Sequence, residues 1–217
     1  MNIDTASNAQ LDAQIIRLER GFTLFADLET QSNKEWLVHN LLGHGDAVCM
    51  YGKPGDGKSV LAEDLCLHVA AGWPWHGRPV KRGAVLYVAL ERRKLVERRA
   101  IAFREKHNPP DLPFAIVGGV HDFRVKATAE QIIEMAKRVE VATGEQIALI
   151  CIDTLSRALC GGDENSSKDM GAIVNATGLL QQGTGAAVMW VHHMPLDGGE
   201  RMRGTARYWA PWIRPFT

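Results

Sequence analysis

The chain has 217 residues, 46% of them hydrophobic, and its 25 basic and 25 acidic residues give a formal net charge of zero. That length suits one sizeable α/β domain with a short lead-in. The neutral balance excludes a nucleic-acid binder driven by overall charge, so any DNA contact must come from local patches or an assembled oligomer.

No apolar run reaches membrane-spanning length. The N-terminus lacks a charged start followed by an apolar stretch, so a cytoplasmic chain without membrane contact is expected. Cys49, Cys66, Cys151 and Cys160 show no paired metal spacing and read as reduced, mostly buried thiols. Residues 1–35 form a polar lead-in, in which LDAQIIRLER has the pattern of a short amphipathic helix. The main domain is expected over residues 36–205, with an atypical tail over 206–217.

Residues 46–51 predict a buried strand. Residues 59–72 predict a helix with Leu61, Leu65 and Val69 on one face and Gly72 at its end. The run AVLYVAL, residues 84–90, is typical of a parallel strand buried on both faces. Residues 91–107 are helical in pattern and heavily charged, and ERRKLVERR reads as a solvated face. NPPDLP breaks that helix, and FAIV is a weak third strand. Thr128 with Gln131 predicts a capping box for the next helix. IALICID is a buried strand, GGDENSSKD a polar loop, MGAIVNATGLLQQGTG a helix weakened by Gly178, and AAVMWVHH a further strand. Strands alternating with helices predict the α/β class, with a mostly parallel central sheet covered on both faces.

The stretch YGKPGDGKSV carries Gly-x-x-x-x-Gly-Lys-Ser between a predicted strand and a predicted helix. Gly52, Gly55 and Gly57 let consecutive amides face an anion. Lys58 supplies charge to the outer phosphates, Ser59 offers a hydroxyl to magnesium, and the helix start adds its dipole. The candidate binding loop is therefore Gly52, Lys53, Pro54, Gly55, Asp56, Gly57, Lys58, Ser59 and Val60. A carboxylate beside phosphates is unfavourable, so Asp56 is expected to point outward.

Asp153 ends a buried strand and is placed either to hold magnesium through water or to serve as a helix N-cap or loop acid. Glu91 follows another strand at the same sheet edge. It reads as a general base for water or as a helix-start acid favoured by the dipole. His192 and His193 end the last strand and point to opposite faces, so they make a poor metal pair. One of them can meet a γ-phosphate or the attacking water, or both can be hydrogen-bonded strand-end residues. Arg201, Arg203 and Arg207 lie in a Gly-bearing loop. They suit phosphates of a neighbour's nucleotide or of DNA, or else a solvated loop.

Together these residues resemble the RecA-like P-loop ATPases of plasmid and phage origin, the RepA type of hexameric replicative helicase within the AAA family. The resemblance runs from about Trp36 to Thr205. It rests on WLVHNLL, YGKPGDGKS, HVAAGWPWHGRPVKRGAVLYVALE, ICIDTLSRALCGGDENSSKDM, TGAAVMWVHH and GGERMRG. It implies that Lys58 and Ser59 bind ATP and Mg²⁺, with Asp153 as the Walker B acid and Glu91 as the catalytic glutamate. One of His192 and His193 would sense the γ-phosphate, and Arg203, or else Arg207, would complete a neighbour's site. It further implies a ring, a hexamer in relatives, whose channel loops grip single-stranded DNA. The family pattern lapses after Thr205, where TARYWAPWIRPFT fits neither helix nor sheet edge. That departure leads us to expect a truncated or frame-shifted member or a fragment, and it keeps open a nucleotide-binding remnant without turnover. A P-loop phosphotransferase acting on a small molecule is the other alternative.

Overall fold

The computed structural model describes residues 24–25 and 34–193. The chain divides into two compact units, Met1–Lys34 and Glu35–Thr217, and the fold described is that of the second. The expected lead-in helix, Arg201, Arg203, Arg207 and the tail lie outside the described residues.

A short antiparallel pair, β1 (Trp36–Val38) and β2 (Leu42–Gly43), precedes the main sheet. Then follow β3 (Ala47–Gly52), α1 (Lys58–Ala71), β4 (Ala84–Ala89), α2 (Arg93–His107) and β5 (Phe114–Gly118). The second half runs α3 (Lys126–Thr143), β6 (Ile147–Asp153), α4 (Leu155–Ala158), α5 (Ser167–Thr184) and β7 (Ala187–His193). The five long strands are ordered β3-β7-β6-β4-β5, and every pairing is parallel. This is the expected RecA-like α/β class. The strand that ends in the two histidines lies between the loop-bearing strand and the strand that ends in Asp153.

The pleat sorts the core into two layers. Val85, Tyr87, Leu149, Cys151, Met189 and Val191 pack with Ala62, Leu65, Cys66 and Val69 of α1. Leu86, Val88, Ile150, Ile152, Val188 and Trp190 face Ile132 of α3 and Met170, Ile173 and Leu180 of α5. Because both faces of β4 and β6 are covered, their sequences are uninterrupted apolar runs rather than alternating ones. Cys66 and Cys151 are buried, while Cys49 and Cys160 are half-buried; all four are free thiols.

Two helix starts differ from expectation. α3 begins at Lys126 after Val125, which offers no side-chain cap, so Thr128 lies inside the first turn and the predicted capping box does not form. Thr128 is instead buried. α5 begins earlier than its apolar pattern suggests, because the Ser166 side chain accepts a hydrogen bond from the Asp169 backbone N–H and recruits the polar SKD into the helix. Gly178 does not interrupt it.

Candidate active site

The carboxyl ends of β3, β4, β6 and β7 converge on a cleft of about 440 Å³ lined by Lys58, Ser59, Glu91, Asp153 and His193. Parallel strands bring these residues together although they are far apart in sequence. The register aligns Ala89 with Asp153 and Asp153 with Val191.

The loop after β3 has the conformation its glycines allow. Gly55 and Gly57 sit at φ +92° and +80°, in the left-handed region that side chains resist. Gly52 serves a different need: a Cβ there would lie 3.3 Å from Asp56 Oδ2 and 3.4 Å from Lys58 Cδ. Lys58 opens α1 and is 7% exposed. Its ammonium donates to the Lys53 carbonyl at 2.7 Å. Burial lowers the Lys58 pKa, while the charges of Asp56 and Asp153 pull it back up.

Asp56 corrects one expectation. The residue is exposed, but its carboxylate folds back and accepts the Lys53 backbone N–H at 2.9 Å. A loop amide is therefore satisfied by an internal anion, which stabilises the turn.

Asp153 is 3% exposed. Its Oδ1 accepts from the Ser59 hydroxyl at 3.1 Å, and its Oδ2 accepts from the Tyr87 hydroxyl at 2.8 Å. Desolvation raises its pKa, the two hydrogen bonds and His193 oppose the rise, and Glu91 adds to it. Asp153 therefore does not act as the helix cap that was its alternative reading: Thr154 precedes α4. Tyr87 escaped the sequence reading. The available signal was a single polar-tipped aromatic in an otherwise aliphatic strand, two residues before the end and so on one face with it.

Glu91 lies two residues past β4, and its Oε1 is 3.7 Å from Arg157 Nη2 of α4. The two histidines separate as the pleat dictates. His193 lines the cleft, whereas His192 Nε2 lies 3.8 Å from Glu164 Oε2, and Glu164 also accepts from the Ser156 hydroxyl. Burial lowers the His192 pKa more than Glu164 raises it, so the ring is neutral at neutral pH.

The charged stretch ERRKLVERR is not merely a solvated face. Leu95, Val96 and Arg99 recur at helical spacing along α2 and line the cleft with Arg92, which stands just before it. Arg92 precedes the helix at φ 53°, a left-handed conformation uncommon for a side-chain residue. A roomier hollow of about 550 Å³ between α1, α2 and β5 is walled by Leu67, Phe103, Leu112 and Phe114, away from these polar groups.

Among the described residues, no helix is long and apolar enough to cross a membrane. No curated protein matches the chain. Among solved structures, a similar one is the KaiC-like protein of the hyperthermophilic archaeon Pyrococcus horikoshii, at 18% identity and a TM-score of 0.45. The match covers 73% of this chain and 66% of that one, so the chain spans slightly under two thirds of that structure's length. Residues 16–199 match the AAA domain, most of the chain, in keeping with the loop, the buried acid and the sheet order around them. The chain belongs to the AAA domain family of P-loop ATPases.

Proposed function

We propose that the chain is a magnesium-dependent, ATP-hydrolysing motor of the RecA-like type that acts on single-stranded DNA as a ring. The observation that carries the ATPase part is the meeting of Lys58, Ser59, Asp153, Glu91 and His193 in one cleft at the strand ends. The DNA and ring parts rest on the resemblance to RepA-type helicases.

The donor set fits magnesium. Ser59 and Asp153 present a hydroxyl and a carboxylate 3.1 Å apart, and burial desolvates the carboxylate. An ion there would be held by this one carboxylate and the hydroxyl and shared with phosphates. Bound magnesium supplies Lewis-acid charge to the phosphate oxygens.

The residues of the chain do the rest. Lys58 exchanges the Lys53 carbonyl for a phosphate oxygen, and the amides after Gly55 cradle the anion at the start of α1. Glu91 orients a water in line with the γ-phosphorus and accepts its proton. The new P–O bond forms as the bond to the leaving diphosphate oxygen breaks. His193, which lines the cleft, would face the γ-phosphate. Tyr87 fixes the Asp153 carboxylate through its second oxygen. Arg203 of a neighbouring copy would complete the site.

Steady-state ATP hydrolysis with and without single-stranded DNA tests this reading, beside Lys58→Ala and Glu91→Gln. We expect DNA to raise turnover of the assembled protein. Lys58→Ala should lower it roughly 100-fold or more, and Glu91→Gln by on the order of 10²–10⁴. Turnover indifferent to DNA would overturn the motor reading. ATP binding with no turnover, unaltered by Glu91→Gln, would support a nucleotide-binding remnant instead.

A further inference from the structure

We propose that Arg99, held at the cleft wall by the buried carboxylate of Glu63, is a further phosphate-contacting residue that distinguishes a nucleoside triphosphate from a diphosphate. This inference rests on the reading of the cleft as a nucleotide site and names a residue that the loop motif does not contain.

Glu63 is the anomaly that leads to it. It sits four residues after Ser59 on α1, so the two share a helix face. Ala62, Leu65, Cys66 and Val69 of the same helix form apolar core, yet Glu63 itself is 1% exposed. Burying a carboxylate is costly unless it is paired and hydrogen-bonded. Its Oε2 meets Arg99 Nη1 at 3.4 Å, and its Oε1 has no hydrogen-bond partner among the described residues. An alanine or leucine would pack there at less cost. The one evident consequence of the acid is to fix where the Arg99 guanidinium lies.

The position so fixed is the cleft wall. Arg99 shares a face of α2 with Leu95 and Val96, and these three, with Arg92 just before the helix, line the cleft with Lys58, Ser59 and Asp153. Arg99 is 28% exposed, which leaves part of the side chain open to the cleft. Glu63 makes a single long contact with Arg99 rather than a two-pronged fork. A guanidinium carries five N–H donors, so most of them remain for an anion. Arg99 lines the same cleft as Ser59 and Asp153, the two residues in mutual contact.

The wall decides which phosphate is read. Lys58 and the loop amides hold the anion from the start of α1. Arg99 lines the same cleft as Glu91, the residue placed at the attacked phosphorus, so its guanidinium is assigned to the outermost phosphate. A diphosphate lacks that group and gains nothing from Arg99.

The test is equilibrium binding, to the full chain with Mg²⁺, of a non-hydrolysable ATP analogue and of ADP. Arg99→Ala is expected to weaken the triphosphate roughly 10-fold, the scale of one charge-assisted contact, and to leave ADP within about twofold. Arg99→Lys should recover part of the difference, because it keeps the charge without the fork. Glu63→Gln, which preserves shape and a hydrogen-bond acceptor, should lie between wild type and Arg99→Ala in triphosphate preference. Equal losses for both nucleotides, or no loss for either, would overturn the inference, as would a Glu63→Gln preference equal to that of wild type. Should circular dichroism show Arg99→Ala unfolded, Arg99→Gln and Arg99→Lys carry the same comparison with the same expected order. Lys58→Ala should lose both nucleotides, and a wild-type chain that binds neither would overturn the nucleotide reading and this inference together.

Discussion

The Asp153 carboxylate sits at the end of β6 where loss of water raises its pKa, and the hydroxyls of Tyr87 and Ser59 compensate only in part. An ionised group held this way destabilises the apo fold at neutral pH. Asp153→Asn removes the charge and keeps the shape. Tyr87 can still donate to the amide oxygen, and the Ser59 hydroxyl can turn to accept from the amide nitrogen. We expect Asp153→Asn to raise the unfolding temperature by a few degrees, a gain of about 1 kcal/mol, while abolishing magnesium-dependent hydrolysis. A fall in melting temperature would mean that the carboxylate's hydrogen bonds outweigh its desolvation. Glu63 makes a related prediction about pH. Burial pushes its carboxyl up to about 7, against the pull of Arg99 and with a smaller push from Asp153 and Asp64. In the unfolded chain it ionises near its ordinary value of 4.5. Between these values the folded chain holds a proton that the unfolded chain has lost, so stability falls as pH rises through the window. Denaturant titrations of wild type and Glu63→Gln from pH 4.5 to 7.5 should show that the variant lacks this component of the slope.

At the scale of elements, what holds the helices to the sheet is partly polar, and these contacts were the least visible in the sequence. Trp190 of β7 is fully buried, and its indole N–H donates to the Thr177 hydroxyl of α5 at 3.0 Å. Thr177 in turn donates to the Ile173 carbonyl within the helix. Thr177→Val is nearly isosteric but leaves the indole N–H buried without an acceptor, a cost of about 1–3 kcal/mol. We expect its melting temperature to drop by several degrees, read by thermal denaturation, whereas Thr143→Val at the exposed end of α3 should change little. Gly83 supplies a second element-scale prediction. A Cβ there would lie 2.5 Å from Ala148 Cβ where β4 meets β6, so Gly83→Ala should cost roughly 1–3 kcal/mol by overpacking. The apolar runs of β4, β6 and β7 were legible because burial on both faces removes every polar interruption. The start of α3 was not, because Thr128 matched a local capping pattern while its side chain is drawn into the core. The α2 wall was misread for a similar reason. Composition marks charged helices as solvated, and only packing against α1 and the sheet edge shows which arginines turn inward.

At the scale of the whole molecule, the legible part of the site was the part written contiguously. Residues 52–59 supply the loop, its lysine and its hydroxyl from one stretch of chain, and Asp153, Glu91 and the pair His192–His193 stood out because each lies at or just past the end of a recognisable strand, although the sequence did not choose between the two histidines. Tyr87, Glu63 and Arg99 are defined by register and layer packing across the sheet, such as the alignment of Ala89 with Asp153, and no local pattern encodes that. The same dispersion makes nucleotide binding a global event. A ligand in the cleft would contact the ends of β3, β6 and β7, the start of α1 and the wall of α2, so it would be lost only when most of the second unit unfolds. Binding to the folded state alone stabilises it by about 2.7 kcal/mol at a hundredfold excess over the dissociation constant. For a chain of this size that corresponds to roughly 5–10 °C. We therefore expect ATP analogue with Mg²⁺ to raise a single cooperative transition by that amount, and Lys58→Ala to show no shift at the same ligand concentration. A shift of similar size in Lys58→Ala would place binding outside the loop. Two separated transitions, only one of them moved by ligand, would show that the loop and the α2 wall unfold independently and that the cleft is not one cooperative unit.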